Sequence, residues 1–148
     1  GEGDLFAQLD SAAGRWFNRR RHPRARPELD HELPVKLAFK HYRTTGTIFD
    51  ISQSGFCVIV DTMSAAPFRE GEPIQLSFEL PGVKRPFEGT GTLRGQRRAR
   101  GRAYVGIEFD LDPHTGLGKR HTKLVEYVND RLTAMAAFGR SLCREEAD

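Results

Sequence analysis

Apolar and polar residues alternate with period two through the middle of the chain and recur with a helical period towards both ends. Val35, Leu37 and Phe39 alternate with Lys36, Ala38 and Lys40, the pattern of a half-buried strand. Thr47 to Ile51 and Phe56 to Val60 read as the next two strands, separated by the short loop SQSG. Ile74, Leu76, Phe78 and Leu80 alternate with Gln75, Ser77 and Glu79, and Pro81-Gly82 ends that run in a turn. Residues 86–95 form a strand rich in Gly and Thr, and Val105, Ile107 and Phe109 alternate with Tyr104, Gly106 and Glu108. About six strands at such short spacing predict an antiparallel sheet closed on itself, a small β-barrel in a mainly β protein.

Leu5, Phe6, Leu9, Ala12, Ala13, Trp16 and Phe17 form an i, i+3, i+4 stripe, which predicts a short N-terminal amphipathic helix. Beyond Pro113, Leu117, Leu124, Val125, Val128, Leu132, Met135 and Leu142 share one side of a second helix, with Lys123, Asp130 and Arg131 turned away. Its first half is expected on the barrel and the stretch beyond Met135 against a partner. The expected organisation is an N-terminal helix or linker at 1–18, an arm and barrel at 19–113, and a C-terminal helix at 114–148. The chain has 148 residues, 38% apolar and 29% charged, enough for one core and too little for two. A start at Gly1 and not at Met is expected of a trimmed chain or of a piece of a longer protein.

The net charge of +3 is too small to imply a polyanionic partner, but its distribution is uneven. Arg15, Arg19, Arg20, Arg21, Arg24 and Arg26 lie between Ser11 and Pro27 with no acid among them, and the rest of the chain carries −3. Arg94, Arg97, Arg98, Arg100 and Arg102 form a second acid-free run, read as a basic loop. Guanidinium groups present a flat fork of donors to phosphates and to the O6/N7 edge of guanine, so two such runs point to a phosphorylated or nucleotide ligand. Pro23 and Pro27 keep the first run out of helical geometry, as an extended arm expected to be mobile without ligand.

Catalytic signatures are missing. His22, His31, His41, His114 and His121 lack metal-ligand spacing, and two cysteines, Cys57 and Cys143, make neither a zinc framework nor a disulfide scaffold. Ser52 and Ser54 are in no nucleophile elbow, and Gly89, Gly91 and Gly95 fit a bent strand better than a dinucleotide loop. Neither a signal peptide nor an apolar run long enough for a bilayer is visible, so a cytoplasmic protein is expected, free or as the cytoplasmic part of a larger one. An enzyme is not expected, nor a metal or cofactor.

What remains is a pair of segments. Arg20 and Arg24 stand four apart in the arm, about 13 Å when extended, so they can hold different parts of one bulky anion. DISQSG, Asp50 to Gly55, follows. Asp50 could accept from the N1 and N2 donors of a guanine, Ser52 adds a hydroxyl, and Gly55 lets a flat base approach the backbone.

This pairing resembles the PilZ domain family, whose pattern is RxxxR on an N-terminal arm followed by (D/N)xSxxG at the first strands of a six-stranded barrel. The resemblance runs from about Arg19 to Phe109, supported by the strand PVKL and by YVGIEF. PilZ domains are receptors for cyclic diguanylate, a bacterial second messenger. The resemblance implies that Arg20 and Arg24 contact phosphate and the guanine Hoogsteen edge, and that Asp50, Ser52 and Gly55 hold a guanine on the barrel. Arg19 before the motif implies a stacked pair of ligand molecules, with Arg21 and Gly106 as supporting positions. Ligand binding is expected to order the arm and pass the signal to a partner protein or attached domain. The C-terminal helix could also make a homodimer. Two rivals are a PilZ-fold adaptor that binds no nucleotide and a single-strand nucleic-acid binder; too few exposed aromatic rings are expected for the latter.

Overall fold

The computed structural model describes residues 22–147, with side chains described as far as residue 138. The expected N-terminal helix at 1–18 and the residues Arg19, Arg20 and Arg21 lie outside the described residues.

Six antiparallel strands, β1 (Pro34–Phe39), β2 (Tyr42–Ile51), β3 (Gly55–Asp61), β4 (Pro73–Phe78), β5 (Phe87–Ala99) and β6 (Arg102–Phe109), make the barrel. Their order, β1-β2-β3-β6-β5-β4, closes by pairing of β1 with β4 and leaves no open sheet edge. Short helices α1 (Thr62–Ala65) and α2 (Gly116–Lys119), too brief for a periodic signal, precede the long α3 (His121–Ala147).

Inward positions are apolar in the phase that the alternation predicts. Val35, Leu37 and Phe39 from β1 meet Ile74, Leu76 and Phe78 from β4 in the interior. A ladder of rings fills one end: Phe56 lies 4.9 Å from Phe109 and 5.3 Å from Phe78, which stacks on Phe87 at 5.4 Å. Such pairs contribute about 0.5–1.5 kcal/mol each beyond their area. Gly91 is required by close packing, since a Cβ there would lie 2.6 Å from Ile107 Cγ2 and 2.7 Å from the Glu108 carbonyl oxygen.

Two expectations change. The second arginine run is not a loop: β5 continues through it to Ala99, and a two-residue turn at Arg100 and Gly101, with φ of 54° and 76°, returns the chain into β6. Positive φ at both residues matches the right-handed twist of a hairpin, so charge density there does not prevent pairing. On α3, Leu124, Tyr127 and Val128 are buried as the stripe requires, with Leu132 and Met135 packed against the core. Arg131, expected to face away, is instead only 17% exposed and reaches the arm.

Candidate functional site

The site is built where the arm meets the β2–β3 connection. Ala25, fully buried between Pro23 and Pro27, exchanges both backbone hydrogen bonds with Ile51: Ala25 N donates to Ile51 O at 2.8 Å and Ile51 N to Ala25 O at 2.9 Å. The arm therefore adds a one-residue bridge to the end of β2. Expected to be loose in the absence of ligand, the arm is pinned at this residue, because two prolines hold it extended and a small side chain fits against the sheet. Ile48 N donates to Leu33 O at 2.9 Å, fixing the far end of the segment.

Docking at Ala25 sets its neighbours. Arg24 Nη1 lies 3.9 Å from Asp50 Oδ2, with Asp50 nearly buried and the arginine side chain 39% exposed. Arg26 stacks its guanidinium 4.0 Å from the centre of the Phe49 ring, which meets Tyr104 edge-on at 5.4 Å. A β-bulge makes this possible: Ile48 pairs with Val58 and Asp50 with Cys57, leaving Phe49 as the extra residue. The bulge turns Phe49 and Asp50 to the outside together while Ile48 and Ile51 both point inward.

The DISQSG loop is held from within. Ser52 N donates to Gly55 O at 2.8 Å, and the fully buried Ser52 hydroxyl donates to the same oxygen at 3.2 Å while accepting from Ser54 N at 3.3 Å. Ser54 O accepts from Phe109 N at 2.9 Å, and Gln53 O is 2.6 Å from His121 Nε2, tying the loop to β6 and to the first residue of α3. The structure thus gathers Arg24, Asp50, Ser52 and Gly55 at one end of the barrel. Gly106 lies on the same outer face, one strand on: Asp50, Cys57, Gly106 and Gly95 form a cross-strand row over β2, β3, β6 and β5.

Five residues around the site were given no place in it by the sequence reading. Phe49 was not singled out, yet its signal was readable: Ile48, Asp50 and Ile51 cannot all keep period-two phase, which marks a bulge. Arg94 is the extra residue of a second bulge and donates from Nε to Glu108 Oε2 at 2.8 Å beside Gly55's partner position. Arg131, Tyr127 and Glu28 have no sequence signal, because helix and arm meet only in three dimensions. No group of His, Cys, Asp and Glu among the described residues could hold a metal ion, and no helix among them is long and apolar enough to cross a membrane. A groove of about 630 Å³ lies elsewhere, on the outer face of β1, β2, β4 and β5, lined by residues such as Lys36, Arg43, Gln75 and Thr90.

The family model described as PilZ domain matches residues 18–130, a span that includes the arm, the barrel and the start of α3. The chain belongs to the PilZ domain family. Solved structures share the fold at low sequence identity. The Bacillus subtilis inhibitor of motility MotI/DgrA is 19% identical with a TM-score of 0.62, over 78% of this chain and 52% of that one. The PilZ domain of Escherichia coli YcgR, solved with c-di-GMP, is 14% identical with a TM-score of 0.63, over 80% and 98%. The K. pneumonia MrkH complex with c-di-GMP is 15% identical with a TM-score of 0.61, over 83% and 55%. This chain spans about half the length of MotI/DgrA and MrkH and nearly all of the isolated YcgR domain. No curated protein matches the chain in sequence.

Proposed function

We propose that this chain is a receptor for cyclic diguanylate that signals by conformation and not by catalysis. The observation that carries the reading is Arg24, brought by the docked arm to 3.9 Å from Asp50 at the DISQSG loop of a PilZ barrel. Membership of the family supports it, as do relatives of the same fold solved with c-di-GMP. Arg20 and Arg24 supply charge-assisted donors to phosphate and guanine, Asp50 accepts from a guanine edge, and Gly55 admits the base close to the backbone. Ser52, whose hydroxyl is spent inside its own loop, acts by shaping that loop. Arg19 favours a stacked pair of ligand molecules, with Arg21 and Gly106 in support. A ligand held by both arm and loop favours arm conformations in which the two are close, and that shift is the signal to a partner protein or attached domain.

The test is a calorimetric titration of cyclic diguanylate into the chain, with GTP and a short DNA oligomer as controls. Selective binding at micromolar or tighter affinity is expected, saturating at two nucleotides per chain. Saturation at one would remove the stacked pair. No heat with the dinucleotide would favour the adaptor reading, and heat with DNA alone the nucleic-acid one.

A further inference from the structure

The C-terminal helix touches both halves of the site. Arg131 Nε donates to Arg26 O at 2.8 Å and Nη2 to Pro27 O at 3.5 Å, while the same guanidinium lies 3.8 Å from Glu28 Oε1. Tyr127 Oη donates to Glu28 Oε2 at 3.0 Å. One turn beyond Arg131, Met135 Sδ accepts from Arg26 N at 3.3 Å. At the start of the helix, His121 meets the carbonyl of Gln53 in the DISQSG loop. Three successive arm residues, Arg26, Pro27 and Glu28, are thus gripped from one face of α3, immediately after the two that carry Arg24 and the Ala25 bridge.

An arginine fork bonded to consecutive backbone carbonyls fixes chain direction as well as position, which a lysine ammonium cannot do. Burial, with the neighbouring Glu28 carboxylate, pushes the Tyr127 phenol above its ordinary value and keeps it a neutral donor. We infer that Arg131, supported by Tyr127, is a positioning residue for the arm: it holds Arg26 to Glu28 so that Arg24 stands over Asp50 before ligand arrives, and it couples ligand occupancy to α3. This inference rests on the ligand reading above. Without the clasp the arm populates its docked position less, and apparent affinity falls by the same fraction.

The experiment compares wild type, Arg131→Ala, Arg131→Lys and Tyr127→Phe in the full chain. Hydrogen exchange without ligand reads the Ala25 and Ile51 amides, calorimetry reads cyclic diguanylate affinity, and denaturant titration reads barrel stability. In Arg131→Ala, faster exchange at Ala25 and Ile51 and an affinity loss of about five- to thirtyfold are expected, with barrel stability little changed. Arg131→Lys should recover only part of both, and Tyr127→Phe should show a smaller loss of the same kind. Unchanged exchange at Ala25, unchanged affinity despite faster exchange, or affinity falling only in step with barrel stability would each overturn the inference. Failure of the wild-type chain to bind the dinucleotide would overturn the ligand reading instead, and the clasp would then be judged by exchange alone.

Discussion

Arg24→Ala should separate binding from folding. In the folded chain its guanidinium is 39% exposed and 3.9 Å from Asp50, at the long end of an ion pair, so its removal should cost only about 1 kcal/mol of stability. Toward a bound phosphate or guanine the same fork makes charge-assisted hydrogen bonds, each contributing about 1.5–3 kcal/mol because the acceptor is ionised or desolvated. Two such bonds from one fork are not fully additive and amount to about 2–4 kcal/mol, or a loss of roughly thirty- to a thousandfold in affinity. Calorimetry with cyclic diguanylate measures the loss in affinity and urea denaturation the loss in stability. Arg24→Lys should fall between, since it keeps the charge and loses the fork. Binding within about threefold of wild type would refute the assignment of Arg24 to the ligand, a difference smaller than one net hydrogen bond.

Other substitutions test the frame that carries the site. Gly91→Ala should lose about 1–3 kcal/mol in urea denaturation, because the new Cβ has to displace Ile107 and the Glu108 backbone; an unchanged midpoint would contradict the β5–β6 packing. Leu124→Ala, at a side chain 1% exposed where α3 meets the barrel, should cost about 2–5 kcal/mol by leaving a cavity, and a loss well below that range would mean the helix is loosely docked. The raised Tyr127 phenol adds an alkaline signature. The folded chain keeps that proton where the unfolded chain, titrating near the ordinary value of about 10, gives it up. Its contribution is fully present below pH 10 and is lost as pH rises above it, so Tyr127→Phe should flatten the alkaline fall in stability. Equal slopes in the two chains would count against burial of the phenol beside Glu28.

How much was legible varies by element. β4 and β6 stood out because their alternation is unbroken and both faces differ sharply in polarity. β2 was placed from Thr47, but it begins at Tyr42, since Arg43, Thr44 and Thr45 are polar in both phases and carry no period-two signal. Half of β5 was read as a basic loop for a related reason: Gln96 to Ala99 pair with Val105 to Arg102 through the backbone, and backbone pairing does not depend on the polarity of the side chains. Arg131 was assigned to solvent because a helical wheel knows only hydrophobicity. A charged fork that bonds the carbonyls of a distant segment belongs to neither face of such a wheel.

By itself the sequence determined the periodicities, and with them a six-stranded closed sheet and a long amphipathic helix, because burial of alternating side chains is a local demand written residue by residue. It also contained the RxxxR and DxSxxG spacings that mark the family. Only the tertiary structure decided what those motifs face. Docking of Ala25 on Ile51 puts Arg24 beside Asp50, the bulge at Phe49 turns a ring outward beneath Arg26, and α3 returns over a hundred residues later to hold the arm. Such contacts join segments far apart in the chain, and their energy depends on distance in space, which no local pattern of residues encodes.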